Sequence, residues 1–250
     1  MLGYYSSLSA EVYDLDKPIG SSFGDIEYYL ERLASCKGRI LEPAVGTGRM
    51  LVPLLENGFQ VDGFDVSEEM LQVCRANCKE RGLSPELFNA KMESFSIDAK
   101  YAAIVIPTGT FLLLYEREKS LQALQNFYSH LETRGRLIVD LHVPSGIELE
   151  KTSTRTWQAT NGDTLTVESK KVEVDWIQQH FVSQGRYERW HEGRLVETEL
   201  ERYPMRWYGV EEFTAILEAI GFTDVTITTD YQFGNYPKNA DAIITFEAIK

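Results

Sequence analysis

The chain has 250 residues, 43% of them hydrophobic, and 38 acidic against 25 basic residues give it a formal net charge of −13. This length and apolar content predict a folded domain with a substantial core and argue against a disordered chain. The negative charge, with its basic residues interleaved among acids, argues against nucleic acid and anionic membranes as partners. No apolar run approaches the roughly 20 residues that span a bilayer, and we expect a cytoplasmic protein.

The three cysteines are Cys36, Cys74 and Cys78. The last two lie four residues apart in a segment that predicts a helix, and no further Cys or His stands nearby at a metal-ligand spacing. We therefore expect no metal site and interpret these cysteines as small apolar residues of a protein in a reducing compartment.

Residues 1–37 predict an N-terminal lid followed by a helix. The first 24 residues are rich in Tyr and Ser with little periodicity, and such a segment could close over a site. The amphipathic pattern of Asp25–Leu33 predicts a helix.

Residues 38–148 alternate short β-branched runs with longer helical segments, which is typical of a parallel sheet with crossover helices. The predicted strands are residues 39–42, 60–65, 86–90, 101–106 and 136–141. The predicted helices are residues 49–57, 68–81 and 119–131. Ser67 is the expected N-cap of the second helix, since two glutamates follow it in the first turn.

Residues 149–208 change in texture, with alternating polar and apolar residues broken by turn signals such as Asn161-Gly162-Asp163. This pattern predicts an antiparallel β meander inserted into the α/β domain. Residues 209–250 return to a helix, Val210–Ile220, and two strands at residues 222–228 and 241–248 that complete the core sheet. The predicted fold is a doubly wound, mostly parallel sheet with an antiparallel insertion.

A strand running into a Gly-containing turn gives the strongest chemical signal, because the turn opens a helix and an acid stands at the end of the next strand. The turn contains Gly46 and Gly48, and Asp65 follows Gly48 by 17 residues (65 − 48). In nucleotide-binding sheets such an acid accepts hydrogen bonds from ribose hydroxyls. The third glycine of the dinucleotide fingerprint is missing, and the charge of Glu42 at the strand end favours a cationic sulfonium over a pyrophosphate.

Residues 42–49 and 63–71 resemble the first and second motifs of the class I S-adenosylmethionine-dependent methyltransferases, in their small-molecule branch. The resemblance implies a Rossmann-like fold with S-adenosylmethionine as cofactor. It assigns the methionine portion to Glu42 and the backbone of residues 46–48, the ribose to Asp65, and the adenine faces to Val66 and Met70. Met70 equally fits a residue that fills the core.

The resemblance extends to the loops after the third and fourth strands. Lys91 stands where the family usually has an acid that contacts the adenine, which leaves Met92 or Glu93 as substitutes. Pro107 and Thr108 fall beside the reactive methyl group, although Pro and Gly after a strand are also ordinary turn chemistry. The predicted cofactor-binding residues are Glu42, Ala44, Gly46, Gly48, Asp65, Val66, Met70, Met92, Glu93, Pro107 and Thr108.

Two residues are candidates for a catalytic role. The segment with Tyr4, Tyr5 and Tyr13 resembles the lid of the same branch, and Tyr13 could orient the cofactor or acceptor, or pack on the first helix. His142 follows the fifth strand at the same sheet edge and could act as a base. His130, His180 and His191 are expected at a helix end and on the meander surface.

The predicted function is methyl transfer to a small-molecule N or O acceptor by in-line displacement. The meander is expected to cover the acceptor pocket, and its aromatic residues suit either a pocket wall or the contact of a homodimer. Three alternatives stay open: a non-catalytic S-adenosylmethionine-binding module with the meander as partner surface, a nicotinamide oxidoreductase, and an aminopropyl transferase.

Overall fold

A computed structural model of the chain describes residues 5–250, so that Tyr4 and the other residues at the start of the predicted lid lie outside the described residues. The helices are α1 (Ser7–Asp16), α2 (Asp25–Leu33), α3 (Leu51–Glu56), α4 (Glu68–Glu80), α5 (Arg117–His130) and α6 (Val210–Ile220). The strands are β1 (Ile40–Pro43), β2 (Val61–Asp65), β3 (Leu87–Asn89), β4 (Tyr101–Ile106), β5 (Leu131–His142), β6 (Ser153–Gln158), β7 (Thr164–Asp175), β8 (His180–His191), β9 (Arg194–Arg206), β10 (Thr223–Thr229) and β11 (Ile243–Ile249).

Seven strands form the central sheet in the order β10-β11-β5-β4-β1-β2-β3. β1 pairs in parallel with both β2 and β4, whereas β11 runs antiparallel to β5 and β10. The chain leaves β1 for β2 on one side and later returns to β4 on the other. The carboxyl ends of β1 and β4 therefore flank a topological switch point, where open α/β sheets bind ligands.

Helices cover both faces of this sheet, which explains why the central strand β4 is almost continuously apolar. One core contains Ile104, Phe127 and Phe213, and the opposite core contains Leu33, Leu51 and Leu71. The predicted doubly wound sheet with an antiparallel insertion is confirmed, and among the described residues no helix is long and apolar enough to cross a membrane.

The meander forms a separate antiparallel sheet in the order β6-β7-β8-β9. Its inner face packs on α1 through a small apolar cluster that includes Leu8, Val12, Leu165 and Val167. Helix α1 lies in the segment whose periodicity predicts no element, because only a narrow strip of it is apolar. The helix also contacts α4, where Asn77 Nδ2 donates to Asp14 Oδ1 at 2.9 Å.

One strand boundary is wrong, since strand β5 begins at Leu131, five residues before the predicted start at Arg136. His130 lies at the end of α5 as expected, but it is buried, and its ring centroid lies 4.4 Å from that of Phe95. Its Nδ1 lies 2.9 Å from the Asn126 carbonyl, so that burial leaves this nitrogen with a partner.

Candidate active site

The turn after β1 is built from left-handed backbone. Ala44, Gly46 and Gly48 have φ values of 52°, 56° and 90°. A Cβ on Gly48 would lie 2.9 Å from Cys74 Sγ, because the turn packs directly on α4. The glycine is therefore required twice, for its φ and for the close approach of two elements.

Asp65 joins the two motifs at the end of β2. Its Oδ2 accepts a hydrogen bond from the Gly46 N–H at 2.9 Å, and its Oδ1 accepts one from the Ser67 N–H at 2.9 Å. Burial raises the pKa of Asp65, and these backbone donors oppose the rise. Each carboxylate oxygen can accept a second hydrogen bond, as contact with ribose hydroxyls requires.

Glu42 shows a buried acceptor without a partner. Its Oε2 makes no hydrogen bond to the described residues, and the side chain lines a small cavity of about 20 Å³. Burial raises the pKa of Glu42, while the nearby charge of Arg49 lowers it. A buried carboxylate oxygen normally has a donor, and the ammonium group of a methionine moiety is a donor of the right charge. The residues present therefore fit S-adenosylmethionine.

The residues expected to contact the adenine differ in how far their side chains are exposed. Val66 is 50% exposed, as an open binding surface requires, whereas Met70 is only 2% exposed. Met92 belongs to the core cluster around Phe64, and Glu93 beside it is half-buried. The adenine contacts of these four residues stay predictions.

Pro107 and Thr108 follow β4 and line the small cavity together with Glu42 and Ala44. Thr108 has a φ of 56°, and its N–H donates to Asp140 Oδ2 at 2.7 Å. Asp140, a buried residue of β5 outside the recognised sequence motifs, thus fixes the loop beside the expected methyl position.

Asp140 has further partners behind that loop. Its carboxyl accepts from the Thr245 hydroxyl at 2.7 Å and from the Tyr231 hydroxyl at 2.8 Å. Burial raises its pKa to about 6, although every one of these donors lowers it. Desolvation of the charged form therefore exceeds the stabilisation by hydrogen bonds.

A larger cavity of about 290 Å³ opens between α1, the loop after β4 and the inner face of the meander. Tyr13, Thr108 and Thr110 line both cavities, so the two spaces adjoin. The remaining lining residues come from α1 and its flanks, the loop after β4 and all four strands of the meander: Tyr5, Ser9, Val12, Asp16, Lys17, Gly109, Leu113, Arg155, Val167, Ser183, Tyr187, Tyr203 and Met205. Two aromatic residues of the meander, Tyr187 and Tyr203, are among the described lining residues of this cavity.

Of the two predicted catalytic residues, Tyr13 lies at the junction of the cavities and His142 lies behind it. A Cβ on Gly109 would lie 2.5 Å from His142 Cδ2, so the imidazole packs against that glycine. Burial lowers the pKa of His142, while a hydrogen bond with the Thr108 backbone raises it. His142 is absent from the described linings of both cavities, and its role as a base stays a prediction.

The meander holds α1 over the larger cavity by charged contacts from three strands. Glu199 accepts from the Leu8 N–H at 3.0 Å and caps the start of the helix. Arg189 pairs with Glu11 in its middle, and Arg155 contacts both oxygens of Asp16 at its end, at 2.8 and 3.0 Å.

Comparisons with known proteins agree with this geometry. Residues 40–135 match the family model described as a methyltransferase domain. A glycine/sarcosine N-methyltransferase of Halorhodospira halochloris is 36% identical over 111 residues, which cover 44% of this chain and 41% of the relative. A glycine/sarcosine N-methyltransferase of Aphanothece halophytica is 27% identical over 198 residues, covering 78% and 69% respectively.

Solved structures extend the similarity over the whole chain. The sugar N-methyltransferase KedS8 of Streptoalloteichus superposes with a TM-score of 0.76 at 19% identity, covering 100% of this chain and 97% of its own. At that identity the superposition establishes the fold alone. The matched domain, the superposition and the fit of Glu42, Gly46 and Asp65 to the cofactor agree with the resemblance to the class I S-adenosylmethionine-dependent methyltransferases, and they support S-adenosylmethionine as the cofactor.

Proposed function

We propose that the protein transfers a methyl group from S-adenosylmethionine to a nitrogen or oxygen atom of a small molecule bound in the larger cavity. The observation that carries this proposal is the junction of the two cavities, because Tyr13, Thr108 and Thr110 line both. An acceptor in the larger cavity would face the cofactor across these three residues.

The size and chemistry of the cavity support a small acceptor. About 290 Å³ lies near the lower end of the range for metabolite pockets. Tyrosine hydroxyls and the charges of Asp16 and Lys17 offer hydrogen bonds to a polar molecule. The similar proteins described above are glycine/sarcosine N-methyltransferases and a sugar N-methyltransferase. This similarity favours an amine among the possible acceptors.

The protein's own contribution is positioning and exclusion of water. When bound, S-adenosylmethionine supplies a methyl group that its sulfonium already activates. Glu42 would hold the methionine portion of the cofactor and Asp65 its ribose. The loop that contains Thr108, which a hydrogen bond to Asp140 fixes, would lie beside the methyl group. Helix α1 closes the acceptor side, so that displacement occurs in line and away from solvent.

The arrangement favours the predicted role of Tyr13 over that of His142. Tyr13 would orient the acceptor or cofactor by its hydroxyl, as its place between the cavities allows. His142 would act as a base only through a rearrangement of Gly109, against which its ring packs. We also propose a cytoplasmic location, which the three free cysteines favour, and a homodimer, which the exposed Val196 and Leu200 would suit.

A transfer assay on a panel of amino acids, amino sugars and small alcohols tests the proposal, with methylated product detected by mass spectrometry. Ser183→Tyr fills the larger cavity from β8 and is expected to abolish transfer without weakening cofactor binding. Gln184→Tyr is the matched control, because the next residue of a strand points to its opposite face.

Two results would count against the proposal. Full activity of Ser183→Tyr would place the acceptor elsewhere. Tight binding of S-adenosylmethionine without transfer to any acceptor would favour the alternative function, a non-catalytic module that uses the meander as a partner surface.

A further inference from the structure

Two tyrosines and a glutamate form a hydrogen-bonded chain on the inner face of the meander. The Tyr187 hydroxyl contacts the Tyr203 hydroxyl, and Tyr203 donates to Glu201 Oε2. Glu201 lies opposite Gly185 in the β8–β9 register, and Tyr203 lies opposite Ser183, so all these side chains share one face. The chain runs from the cavity wall to a carboxylate that is only 2% exposed.

Helix α1 fixes the orientation of that carboxylate. Glu201 Oε1 accepts from the Ser6 N–H at 2.9 Å and from the Ser9 hydroxyl at 2.7 Å, and the Ser6 hydroxyl lies 2.8 Å from it and 2.5 Å from Glu199 Oε2. These donors lie at the start of α1, where the helix dipole favours negative charge. Oε1 is thereby committed to the helix, and Oε2 is left for Tyr203.

The direction of the hydrogen bonds follows from the carboxylate. An ionised carboxylate can only accept, so Tyr203 donates to Glu201 and accepts from Tyr187. The proton of Tyr187 is then directed away from the cavity that its ring lines, and the lone pairs of its oxygen remain for a donor in that cavity. Burial raises the pKa of Tyr187 to about 12 and that of Tyr203 further, so both hydroxyls keep their protons at neutral pH.

The backbone makes room for the chain, and aromatic rings surround its open end. A Cβ on Gly185 would lie 3.0 Å from Tyr187 Cε2 and 3.4 Å from Tyr203 Cε2. The rings of Tyr5 and Tyr203 lie 5.8 Å apart, and those of Tyr5 and Tyr13 lie 5.9 Å apart. Faces of tyrosine rings attract ammonium groups.

The other charges that line the cavity are partly compensated. Both oxygens of Asp16 contact Arg155. Lys17 Nζ lies 4.7 Å from the centroid of the Tyr13 ring, and the charge of Asp16 acts on it as well. Glu199 adds a second negative charge beside Glu201 at the start of α1. The anionic end of the site therefore lies behind Tyr187 and Tyr203.

We propose that the acceptor is an amine whose nitrogen donates its hydrogen bond to Tyr187, with Tyr203 and Glu201 as positioning residues that take up its proton. This inference rests on the proposed function and names its substrate class. The bound ammonium gives one proton to Tyr187, the proton of Tyr187 passes to Tyr203, and that of Tyr203 passes to Glu201, which becomes neutral. The nitrogen lone pair freed in this way forms the new C–N bond as the C–S bond breaks and its electron pair stays on sulfur, and the product leaves as a methylated ammonium.

The first test compares kinetics of Tyr187→Phe, Tyr203→Phe and Glu201→Gln with the best amine of the panel. We expect kcat to fall about 10- to 100-fold in each, and the acidic limb of the kcat/KM profile to move to higher pH. Glu199→Gln is the matched control for loosening of α1: it should raise KM and leave the pH profile in place. The exposed Tyr236→Phe should leave all parameters unchanged.

The second test needs no turnover. Protein saturated with S-adenosylhomocysteine is titrated with isopropylamine and with isopropanol, and binding is followed by NMR. We expect the amine to bind at least about 5-fold more tightly than the alcohol, and Glu201→Gln, but not Glu199→Gln, to remove the difference.

The outcomes separate the inference from the function on which it rests. A wild-type protein that methylates no acceptor but still prefers the amine would refute the proposed function and support the amine site. Equal binding of amine and alcohol would overturn the inference, as would a normal kcat and pH profile in Tyr187→Phe, or a pH profile lost only in His142→Ala.

Discussion

The cofactor side of the site is built mainly from backbone, whereas the acceptor side is built mainly from side chains. Around Glu42 the geometry is set by turn residues with left-handed backbone and by peptide N–H groups that donate hydrogen bonds to Asp65. Around the larger cavity it comes from carboxylates and tyrosines of β8 and β9 that meet α1 almost 200 residues away, as with Ser6 and Glu201 (a separation of 195).

This difference suits two different demands. A cofactor shared by many enzymes needs one fixed cradle, and a backbone turn is rigid because few residues can adopt it. An acceptor site distinguishes one substrate from others, and side chains on a strand can change without altering the strand. We therefore expect changes on the cofactor side to be severe, and those on the acceptor side to be graded.

The largest effect is expected for Gly48→Ala. Its φ of 90° strains any side chain, and its Cβ would lie 2.9 Å from Cys74 Sγ. We expect a loss of about 2–5 kcal/mol in the free energy of unfolding, with loss of cofactor binding. Gly58→Ala is the matched control, because its φ is 86° and, beyond its chain neighbours, none of residues 5–250 has an atom within 4 Å of the added Cβ; it should cost about 1–2 kcal/mol. Denaturant unfolding of both variants measures the difference, and equal losses would contradict the role of close packing.

Asp140 contacts Thr108, which lines both the cofactor cavity and the acceptor cavity, and it should make the stability of the protein depend on pH. Its pKa is raised from the ordinary 3.8 to about 6. Between these two pH values the carboxyl is deprotonated in the unfolded chain but protonated in the folded protein. The contribution of Asp140 to the free energy of unfolding is therefore full below pH 3.8 and falls as the pH rises to 6. The fall should amount to roughly 3 kcal/mol.

Asp140→Asn removes that titration, and the difference between the two unfolding curves isolates it from other carboxyls. The variant also turns an amide towards the donors Thr108 and Thr245, which adds a loss independent of pH. A difference curve that stays flat between pH 3.8 and 6 would show that Asp140 is ionised in the folded protein throughout.

A smaller effect on activity is expected from substitutions at the contacts between the meander and α1. Arg189→Met breaks the contacts with Glu11, Asp163 and Glu197 and should loosen the helix. We expect KM for the acceptor to rise about 5-fold, in line with the loss of partly exposed ion pairs, and cofactor affinity to stay within a factor of two. Arg194→Met, an exposed position of β9, is the control. An equal loss of cofactor affinity in Arg189→Met would show that the two sides are not separable.

The cofactor side could be predicted from the sequence because its determinants are contiguous. Gly46 and Gly48 stand in one turn, and Asp65 ends the next strand, so strand order and turn chemistry suffice to bring them together. The boundaries of α4 and α6 follow similarly from Ser67 and from the apolar face of Val210–Ile220.

The acceptor side could not be predicted, because the residues that contact each other there are distant in the chain. In addition, β9 reverses the usual strand pattern of apolar residues facing inward and charged residues facing solvent. On β9 the charged Glu199 and Glu201 face inward, while Val196 and Leu200 are exposed. Helix α1 depends on those carboxylates more than on its own periodicity. Asp140 did carry a signal, since an acid within the otherwise apolar end of β5 requires buried donors.

The most direct test of the cofactor site is calorimetric titration of the wild-type protein and of Asp65→Ala with S-adenosylmethionine, S-adenosylhomocysteine and NAD. We expect micromolar binding of the first two, a loss of at least about 10-fold in the variant because the hydrogen bonds of a buried carboxylate are removed, and no binding of NAD. Preference for NAD, or unchanged binding by Asp65→Ala, would contradict the assignment of the site around Glu42 and Asp65 to S-adenosylmethionine.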